Sequence, residues 1–368
     1  GYLALCSANL PVSDDIDPGG DNGADENPTK QFNVITYTGN RTGGSTTNNI
    51  TGVGFQPDLV WLKILNNTYD HRLVDSSRGA GKHLRSNKTN AESTEATGLT
   101  SFDSDGFTVS GDNNYNSNGD PFVAFCWRAN GGVTTSDSSG DITVTRQTND
   151  AAKFSILTYT GNGSSGSTIA HGLGVKPAMT IIKQRNSSNG WNVWHQGNNN
   201  GDYDSFGELN GSAAWYQNQG SNGPFSADPT TSLLTLTAYG QVNGSSNTYV
   251  AYVWADVEGY SKFGSFEGNA NADGPFIYTG FRPRLLFIKN IDSSSPWGVY
   301  DGERPGFNDC DLGAWDESTA YNNNIGTYPC DILSNGFKLR TSNSTVNSSH
   351  TWVYGAWGDV PFKYNNTF

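Results

Sequence analysis

The sequence predicts an all-β protein of three related β-sandwich units in tandem, jelly-roll-like and built from short antiparallel strands. The first observation behind this prediction is the composition. The 368 residues include 45 Gly and ten Trp, aromatic residues reach 12%, and charged residues only 15%. Such a composition is typical of short strands joined by tight turns. The aromatic content argues against disorder, the other interpretation of abundant Gly and Ser.

The second observation is a phrase of Gly, Pro, an apolar run and Lys that occurs three times. The copies are GFQPDLVWLK (54–63), GVKPAMTIIK (174–183) and GFRPRLLFIK (280–289). Proline is tolerated at the first residue of a strand. Because the apolar residues are adjacent rather than alternating, we expect each phrase to form a strand that is covered on both faces.

The third observation is the set of motifs that flank each phrase. FNVITYTGN, FSILTYTGN and FGSFEGN precede the phrases, and FVAFCW, YVAYVW and WVYGAW close the copies. SDGFTV and SNGFKL predict hairpins in the first and third copies, whereas the second has SLLTLTA. The motifs predict a lead-in at 1–30, sandwich units at 31–130, 153–257 and 258–368, and a linker at 131–152. The short joint at 256–261 indicates that units two and three pack together.

Charge and hydropathy argue against several classes of protein. The formal charge is −13 and no basic stripe occurs, so nucleic acid is a poor partner. No apolar run approaches the length of a membrane span, so we expect no membrane insertion. The acidic lead-in has the oxygen ligands that calcium favours, but its spacing fits no EF-hand loop, and a solvated linker or docking segment is the better interpretation. The chain begins at Gly1 rather than Met, which indicates processing or a segment of a longer chain.

Cysteine and histidine give no sign of a metal or cofactor. Four cysteines are too few for a disulfide framework in a chain of this length. Cys126 lies in an apolar strand and is expected to be buried, while Cys310 and Cys330 lie in one region and could pair. The five histidines have no metal-ligand spacing, and no CxxC or HExxH motif occurs. We therefore expect no cofactor.

Comparison of the copies favours structural roles for the candidate catalytic residues. Counted from the shared prolines, Asp75 matches Asp301 and Arg78 matches Arg304, so each pair is expected to brace a loop. His195 occupies the position of the two aspartates. A position that changes chemical type between copies is more typical of a polar strand end than of a general base.

A second carboxylate pair has a similar explanation. Asp103 and Asp105 resemble the two acids of a glycosidase, but they flank a tight turn, and the third copy has Asn335 there. No GxSxG elbow and no P-loop occurs. We therefore expect no enzymatic activity.

The best candidate contact surface is the polar and aromatic middle of the second unit. Trp191 and Trp194 are expected to share one strand face, with Trp215 and Tyr216 nearby in an Asn- and Gly-rich stretch. Flat aromatic rings beside amide side chains suit stacking on sugar rings, so these four residues are the candidate carbohydrate-binding residues. The alternative is that the tryptophans are core, as Trp297 and its neighbours in the third unit suggest.

Several phrases together resemble a family of virion structural proteins from phages of marine bacteria and cyanobacteria, of the tail-fibre type. They are GFQPDLVWLK, YDHRLVDSSRG, LTSFDSDGFTV, VAFCW, VEGYSKFGSFEGN, DGPFIYTGFRP, LSNGFKLR and PFKYNN. The likeness covers nearly the whole chain. It implies a particle component without known catalysis, and it supplies no catalytic or binding residues.

From this resemblance we expect a non-enzymatic tail fibre or other appendage on the surface of a phage particle, with a role in host attachment. The expected partners are other virion proteins and host-surface glycan, and the default expectation is a homo-oligomer such as a trimer, which would cover edge strands. A capsid-decorating or head-fibre protein is the alternative. A polysaccharide depolymerase is a further one, with Asp75, Asp103, Asp105 and Asp301 as its candidate acids.

Overall fold

The computed structural model describes residues 28–198, 202–304, 308, 310, 313–315 and 328–358. In these residues the chain forms 26 strands and three helices of four residues each, which confirms the all-β fold class. Of the predicted lead-in, only a 3-10 turn at Pro28–Lys30 falls within the described residues. None of the helices in the described ranges is long enough to cross a membrane.

The first predicted unit contains a large and a small antiparallel sheet. Its elements are β1 (Phe32–Thr38), β2 (Asn48–Thr51), β3 (Leu59–Ile64), β4 (Arg72–Asp75), β5 (Lys82–Leu84), β6 (Ser93–Thr94), β7 (Leu99–Asp103), β8 (Gly106–Val109), α1 (Asn113–Asn116) and β9 (Pro121–Trp127). The large sheet has the order β1-β9-β3-β4-β5-β6, and the small sheet has the order β2-β8-β7.

The second unit begins earlier than the sequence indicates. Its elements are β10 (Thr135–Asp137), β11 (Val144–Asn149), β12 (Phe154–Thr160), β13 (Ser167–Ala170), β14 (Met179–Gln184), β15 (Trp191–His195), β16 (Gly207–Glu208), β17 (Leu233–Leu236), α2 (Gly240–Asn243) and β18 (Thr248–Trp254). The large sheet has the order β10-β11-β12-β18-β14-β15-β16, and β13 pairs with β17. The segment 131–152, predicted as a linker, thus supplies two strands of this sheet: β10 pairs with β11, and β11 pairs with β12 and buries Val144 and Gln147.

The third unit repeats the arrangement. Its elements are β19 (Ser261–Glu267), β20 (Phe276–Tyr278), β21 (Leu285–Asn290), β22 (Trp297–Asp301), β23 (Gly313–Trp315), β24 (Cys330–Leu333), β25 (Gly336–Leu339), α3 (Ser344–Asn347) and β26 (Thr351–Trp357). The large sheet has the order β19-β26-β21-β22-β23, and the small one has the order β20-β25-β24. Cys310 and Cys330 face each other in an antiparallel bridge, and their pairing stays a prediction.

The three large sheets share one pairing scheme and one register. In each, the opening strand pairs with the closing strand, which pairs with the phrase strand, which pairs with the strand that follows it. Every residue of the phrase strands β3, β14 and β21 is buried, as their uninterrupted apolar pattern predicts. Their first residues face equivalent tryptophans of the closing strands: Leu59 faces Trp127, Met179 faces Trp254 and Leu285 faces Trp357.

Each phrase strand is buried on both faces. In the first two units the two faces belong to different cores, whereas in the third unit both faces belong to the shared core. On one face the large sheet packs against its own small sheet, as where Ile50 and Phe107 meet Leu62 and Phe122 in the first unit. On the other face the three large sheets pack against one another in a single continuous core. The sandwich-like pairing of sheets is therefore present, and the sandwiches are joined back to back.

Three equivalent tryptophans form the middle of this shared core. Trp127, Trp254 and Trp357, which we call the tryptophan centre, are at most 2% exposed. Their ring centroids lie 6.1, 5.6 and 5.9 Å apart, with interplanar angles of 63°, 76° and 71°. These are edge-to-face contacts, in which the positive edge of one ring meets the negative face of the next. Each unit thus contributes the last residue of its closing strand to the tryptophan centre.

Each phrase ends in a buried lysine whose ammonium donates hydrogen bonds to main-chain carbonyls. These phrase lysines are Lys63, Lys183 and Lys289. The Nζ of Lys183 donates to Asn189 O (2.6 Å) and to Thr89 O (2.9 Å) of the first unit, and that of Lys289 donates to Ser295 O and to Ser212 O (3.1 Å) of the second. Burial lowers their pKa values to about 8, 8 and 7. Two phrase lysines thereby join a unit to the one before it.

The recurring Gly-Asn after each opening strand also has a structural cause. Asn116, Asn243 and Asn347 are fully buried at the ends of the short helices. Each accepts a hydrogen bond from the backbone N–H of the Asn in the opening motif, at 2.8, 2.9 and 3.0 Å. A Cβ on the preceding glycine would come within 1.9 to 2.5 Å of a backbone oxygen. Only glycine permits this approach.

Candidate functional site

The structure places the three predicted tryptophans in the protein interior. Trp191 is 0% exposed, Trp194 is 1% exposed and Trp215 is 5% exposed. The two on β15 do not share a face, which corrects the sequence interpretation. Successive side chains of a strand alternate, so residues three apart point to opposite sides. Trp191 accordingly lies in the shared core and Trp194 in the core of the second unit alone.

Each of these tryptophans has an architectural contact. The indole N–H of Trp191 donates to Arg85 O (3.0 Å) and Lys88 O (3.1 Å) of the first unit. The ring of Trp215 lies edge-on to Trp297 of the third unit, with centroids 6.4 Å apart. The core interpretation therefore describes all three, and none of them offers a free ring face to a ligand.

Tyr216 is the only one of the four predicted residues at the surface. Its side chain is 38% exposed and stacks on buried Phe206, with centroids 5.0 Å apart and an interplanar angle of 30°. Phe206 in turn lies 6.2 Å from the ring of Tyr239. Tyr216, Phe206 and Tyr239 form a row of rings, the aromatic row, along one end of the second unit.

The aromatic row leads to an open cleft of about 570 Å³. Its walls are mostly amides and hydroxyls: Gln184, Asn186, Ser187, Asn189, Tyr239, Gln241 and Asn247. The Tyr239 hydroxyl accepts from Gln241 Nε2 (2.6 Å), and Gln241 Oε1 accepts from Asn192 Nδ2 (3.1 Å). The amide groups hold one another in place, which gives the cleft a fixed pattern of donors and acceptors.

Glu208 adds a carboxylate beside the cleft. It is half-buried, and burial raises its pKa. Its charge is the main cause of the raised pKa of Tyr216, and it adds to the effect of burial on the pKa of Tyr239. Among the described residues, no donor forms a hydrogen bond or ion pair with this carboxylate. Its acceptor capacity is thus available to a ligand.

The remaining candidate residues serve the architecture. Asp75 accepts from the backbone N–H of Arg78 (2.8 Å), pairs with the Arg78 guanidinium and accepts from the Tyr252 hydroxyl (2.7 Å) of the second unit. Arg78 also donates to Glu92 (3.1 Å), which binds Arg185 of the second unit through both oxygens at 2.9 Å. Asp301 and Arg304 repeat the local ion pair in the third unit. The predicted loop braces are therefore confirmed, and the first one also links two units.

His195 occupies the position that the proline count predicts. Leu59 faces Asp75, Met179 faces His195 and Leu285 faces Asp301, so the three residues are equivalent in register. His195 is buried, and its Nδ1 accepts from the backbone N–H of Gly197 (2.9 Å) while Nε2 lies 3.0 Å from Tyr354 O. Burial lowers its pKa to about 4, and it does the same for His83 and His171. A neutral ring joining the second unit to the third is a structural group.

The Asp103–Asp105 turn is likewise a structural feature. β7 and β8 form the predicted hairpin, and Asp103 accepts from the Thr108 hydroxyl (2.7 Å). Asp105 accepts from the backbone N–H groups of Gly52 (3.1 Å) and Gly54 (2.6 Å), where the first phrase begins. In the described ranges no group of three His, Cys, Asp or Glu side chains could hold a metal ion.

Sequence reasoning missed Tyr239, Gln241 and Glu208, although comparison of the copies contained a signal for the first two. The residue before each short helix is Asp112, Tyr239 or Asn343. The aspartate and the asparagine each cap their helix by accepting a backbone N–H, whereas no side chain caps α2. An aromatic residue where the other copies have a helix cap marks a change of role at this position.

Together these features define an all-β protein whose three sheet pairs share one aromatic core and whose second unit has a polar cleft. A family model described as Domain of unknown function (DUF7483) matches residues 27–361, and the chain belongs to this family. Comparison with curated proteins finds no match, and comparison with solved structures finds none either.

Proposed function

We propose that this chain is a non-enzymatic structural component of a phage particle, in a tail fibre or other appendage, with a role in host-surface attachment. The observation that carries the proposal is the continuous core that joins all three large sheets around the tryptophan centre. A body built in this way has few independent parts, and it suits a component that must stay folded outside a cell. The sequence resemblance to virion structural proteins supports the same assignment.

The use of charged residues also supports a structural role. A catalytic acid or base needs a pKa suited to proton transfer and access to a substrate. Asp75 and Asp301 are at most 2% exposed and are held in ion pairs, and His195 is 1% exposed. The Asp and Arg side chains that recur between units thus brace loops.

Polar surface and negative charge suit a particle component exposed to solvent. The formal charge of −13 keeps copies of the chain apart in solution, except where specific surfaces meet. We expect partners among other virion proteins and further copies of this chain. A trimer is the default expectation for the oligomer.

Gold-antibody labelling of intact particles from the source culture, viewed by electron microscopy, tests the location. Label on the tail or its fibres is the expected result. Label spread over the shell would replace it with a capsid-decorating or head-fibre role. Absence of label from particles that contain a labelled capsid marker would overturn the virion assignment.

The non-enzymatic part of the proposal has its own test. Purified chain is incubated with capsular polysaccharide from the host, and release of reducing sugar is measured. We expect no release above a boiled control. Release that disappears on changing Asp75, Asp103, Asp105 or Asp301 singly to Asn would establish a depolymerase instead.

A further inference from the structure

We propose that the cleft of the second unit is a binding site for a neutral, hydroxyl-rich sugar, which stacks on Tyr239 and donates hydrogen bonds to Glu208 and Gln241. The inference deepens the proposed attachment role and rests on it for its biological meaning. Binding itself is measurable on the isolated chain.

Hydrogen-bond acceptors outnumber donors beside the cleft. A Cβ placed on Gly190 would lie 2.5 Å from Glu208 Oε1 and 3.2 Å from Gln241 Oε1, so both oxygens converge on the bare backbone of this glycine. The buried Asn192 Oδ1 next to them has no hydrogen-bond partner among the described residues. Buried acceptors without donors cost free energy. A ligand that brings several donors on neighbouring atoms, as a sugar does with its hydroxyls, would supply donors to Glu208 and Gln241.

The aromatic row lies beside these acceptors. Tyr239 and Tyr216 both present partly exposed rings, and buried Phe206 between them fixes their spacing. The C–H face of a pyranose is apolar and packs on such rings, while its hydroxyls reach the amides. A cleft of about 570 Å³ has room for one or two sugar units.

The other two units have helix caps at the position of Tyr239. Helices α1 and α3 begin with side-chain caps, Asp112 to Asn114 N at 2.7 Å and Asn343 to Thr345 N at 2.9 Å. The second unit forgoes this cap and has Tyr239 instead. A cap stabilises a helix start, so its replacement by a cleft-lining ring gives up local stability. Such local losses are typical of functional sites.

The chemistry of the site also sets the class of sugar. Glu208 supplies a carboxylate, and no Lys or Arg lines the cleft. An acidic sugar would bring like charge next to this carboxylate. We therefore expect neutral sugars to bind and sialic or uronic acids to be rejected.

The experiment is saturation-transfer difference NMR on the full chain with methyl glucoside, methyl galactoside, methyl mannoside, N-acetylglucosamine and glucuronic acid, each at millimolar concentration with EDTA present. We expect a signal from at least one neutral sugar and none from glucuronic acid. Absence of signal from every neutral sugar would overturn the proposal. A signal that requires added calcium would also overturn it, since the site would then be a metal site.

Tyr239→Asn is the decisive variant, because it restores the cap that Asn343 makes in the third unit. The restored cap offsets part of the packing that the Tyr239 ring gives up, so the variant should fold. It should bind the sugar at least about tenfold more weakly than the parent chain. Glu208→Gln should weaken binding while keeping the shape of the side chain. Tyr278→Ala removes a tyrosine that is 66% exposed in the third unit, outside the cleft, and should leave binding unchanged. Full binding by Tyr239→Asn would overturn the proposal.

This test and the particle test fail separately. Labelled particles combined with a chain that binds no sugar would retain the virion role and remove the cleft from it. Sugar binding by a chain that is absent from particles would retain the cleft and remove the virion role.

Discussion

Replacing Trp254 by Ala should destabilise the whole described fold rather than the second unit alone. The Trp254 ring is buried and lies within 6.1 Å of Trp127, Trp357 and Phe154, so it contacts all three units. Truncating a fully buried Trp costs about 3–5 kcal/mol, and the additional ring contacts place Trp254 at the upper end, at about 5 kcal/mol. With a urea dependence of about 3 kcal/mol per molar for a chain of this size, the midpoint should fall by about 1.7 M.

The assay is urea unfolding followed by tryptophan fluorescence and by far-UV circular dichroism. The two signals should remain coincident in Trp254→Ala, as expected when one cooperative core is weakened. Trp194→Ala is the matched control, since Trp194 is equally buried but packs only between the two sheets of the second unit. Its loss should open that unit first and separate the two signals. A Trp254→Ala curve with an early phase for about a third of the signal, followed by a phase at the parent midpoint, would refute the shared core.

Three further predictions concern pH and hydrogen bonding. Burial lowers the pKa values of His83, His171 and His195 to about 4, so the unfolded chain binds more protons than the folded chain between pH 6.5 and 4. As the pH falls through that window, the free energy of unfolding should fall by up to about 3 kcal/mol per histidine, and the melting temperature should fall with it. A melting temperature that does not change across the window would contradict the burial of these histidines. The phrase lysines have pKa values lowered to about 7 or 8, so they bind fewer protons in the folded chain than in the unfolded chain. The melting temperature should therefore rise from pH 7 to pH 9, and a fall would contradict this prediction. Asn243→Ala leaves buried backbone groups without hydrogen-bond partners and should lower the free energy of unfolding in urea by about 3 kcal/mol. Asn186→Ala, at an exposed position, should lower it by less than about 0.5 kcal/mol. Equal effects would show that the Asn243 side chain does not hold these backbone groups in place.

Much of the fold could be predicted because the same sequence motifs occur in each unit. The phrase strands, the Asp–Arg braces and the hairpin before Phe107 depend on residues close in sequence, and each appears where the repeats indicate. The equivalence of His195 with Asp75 followed from a count of residues, because the register of the strands is the same in each unit.

The arrangement of the three sheets could not be predicted from the same patterns. A strand that is apolar on both faces does not show which face packs on the small sheet and which on another unit. The linker prediction failed for a related reason. β11 is a mostly polar strand without a regular apolar alternation, and the burial of Val144 and Gln147 depends on pairing with β12 rather than on local hydrophobicity.

The sequence predicts the unit that contains the candidate site but not most of the residues that form it. The aromatic content of the second unit predicts a binding role for Trp191 and Trp194, which lie in the core. The partly exposed aromatic residue that lines the cleft is Tyr239. Its role depends on a cap that the other units have and this unit lacks, and that comparison requires the boundaries of three helices only four residues long. The Glu208 carboxylate lies beside the cleft in the space that a side chain at position 190 would fill, and no sequence pattern shows this.

Native-state hydrogen exchange of the full chain, measured by mass spectrometry at increasing urea, tests the shared core most directly. The closing strands β9, β18 and β26 meet at the tryptophan centre, so their slowest amides should exchange with one common free energy, equal to that of global unfolding. Three different free energies, each with its own urea dependence, would show that the units unfold independently and would contradict the account.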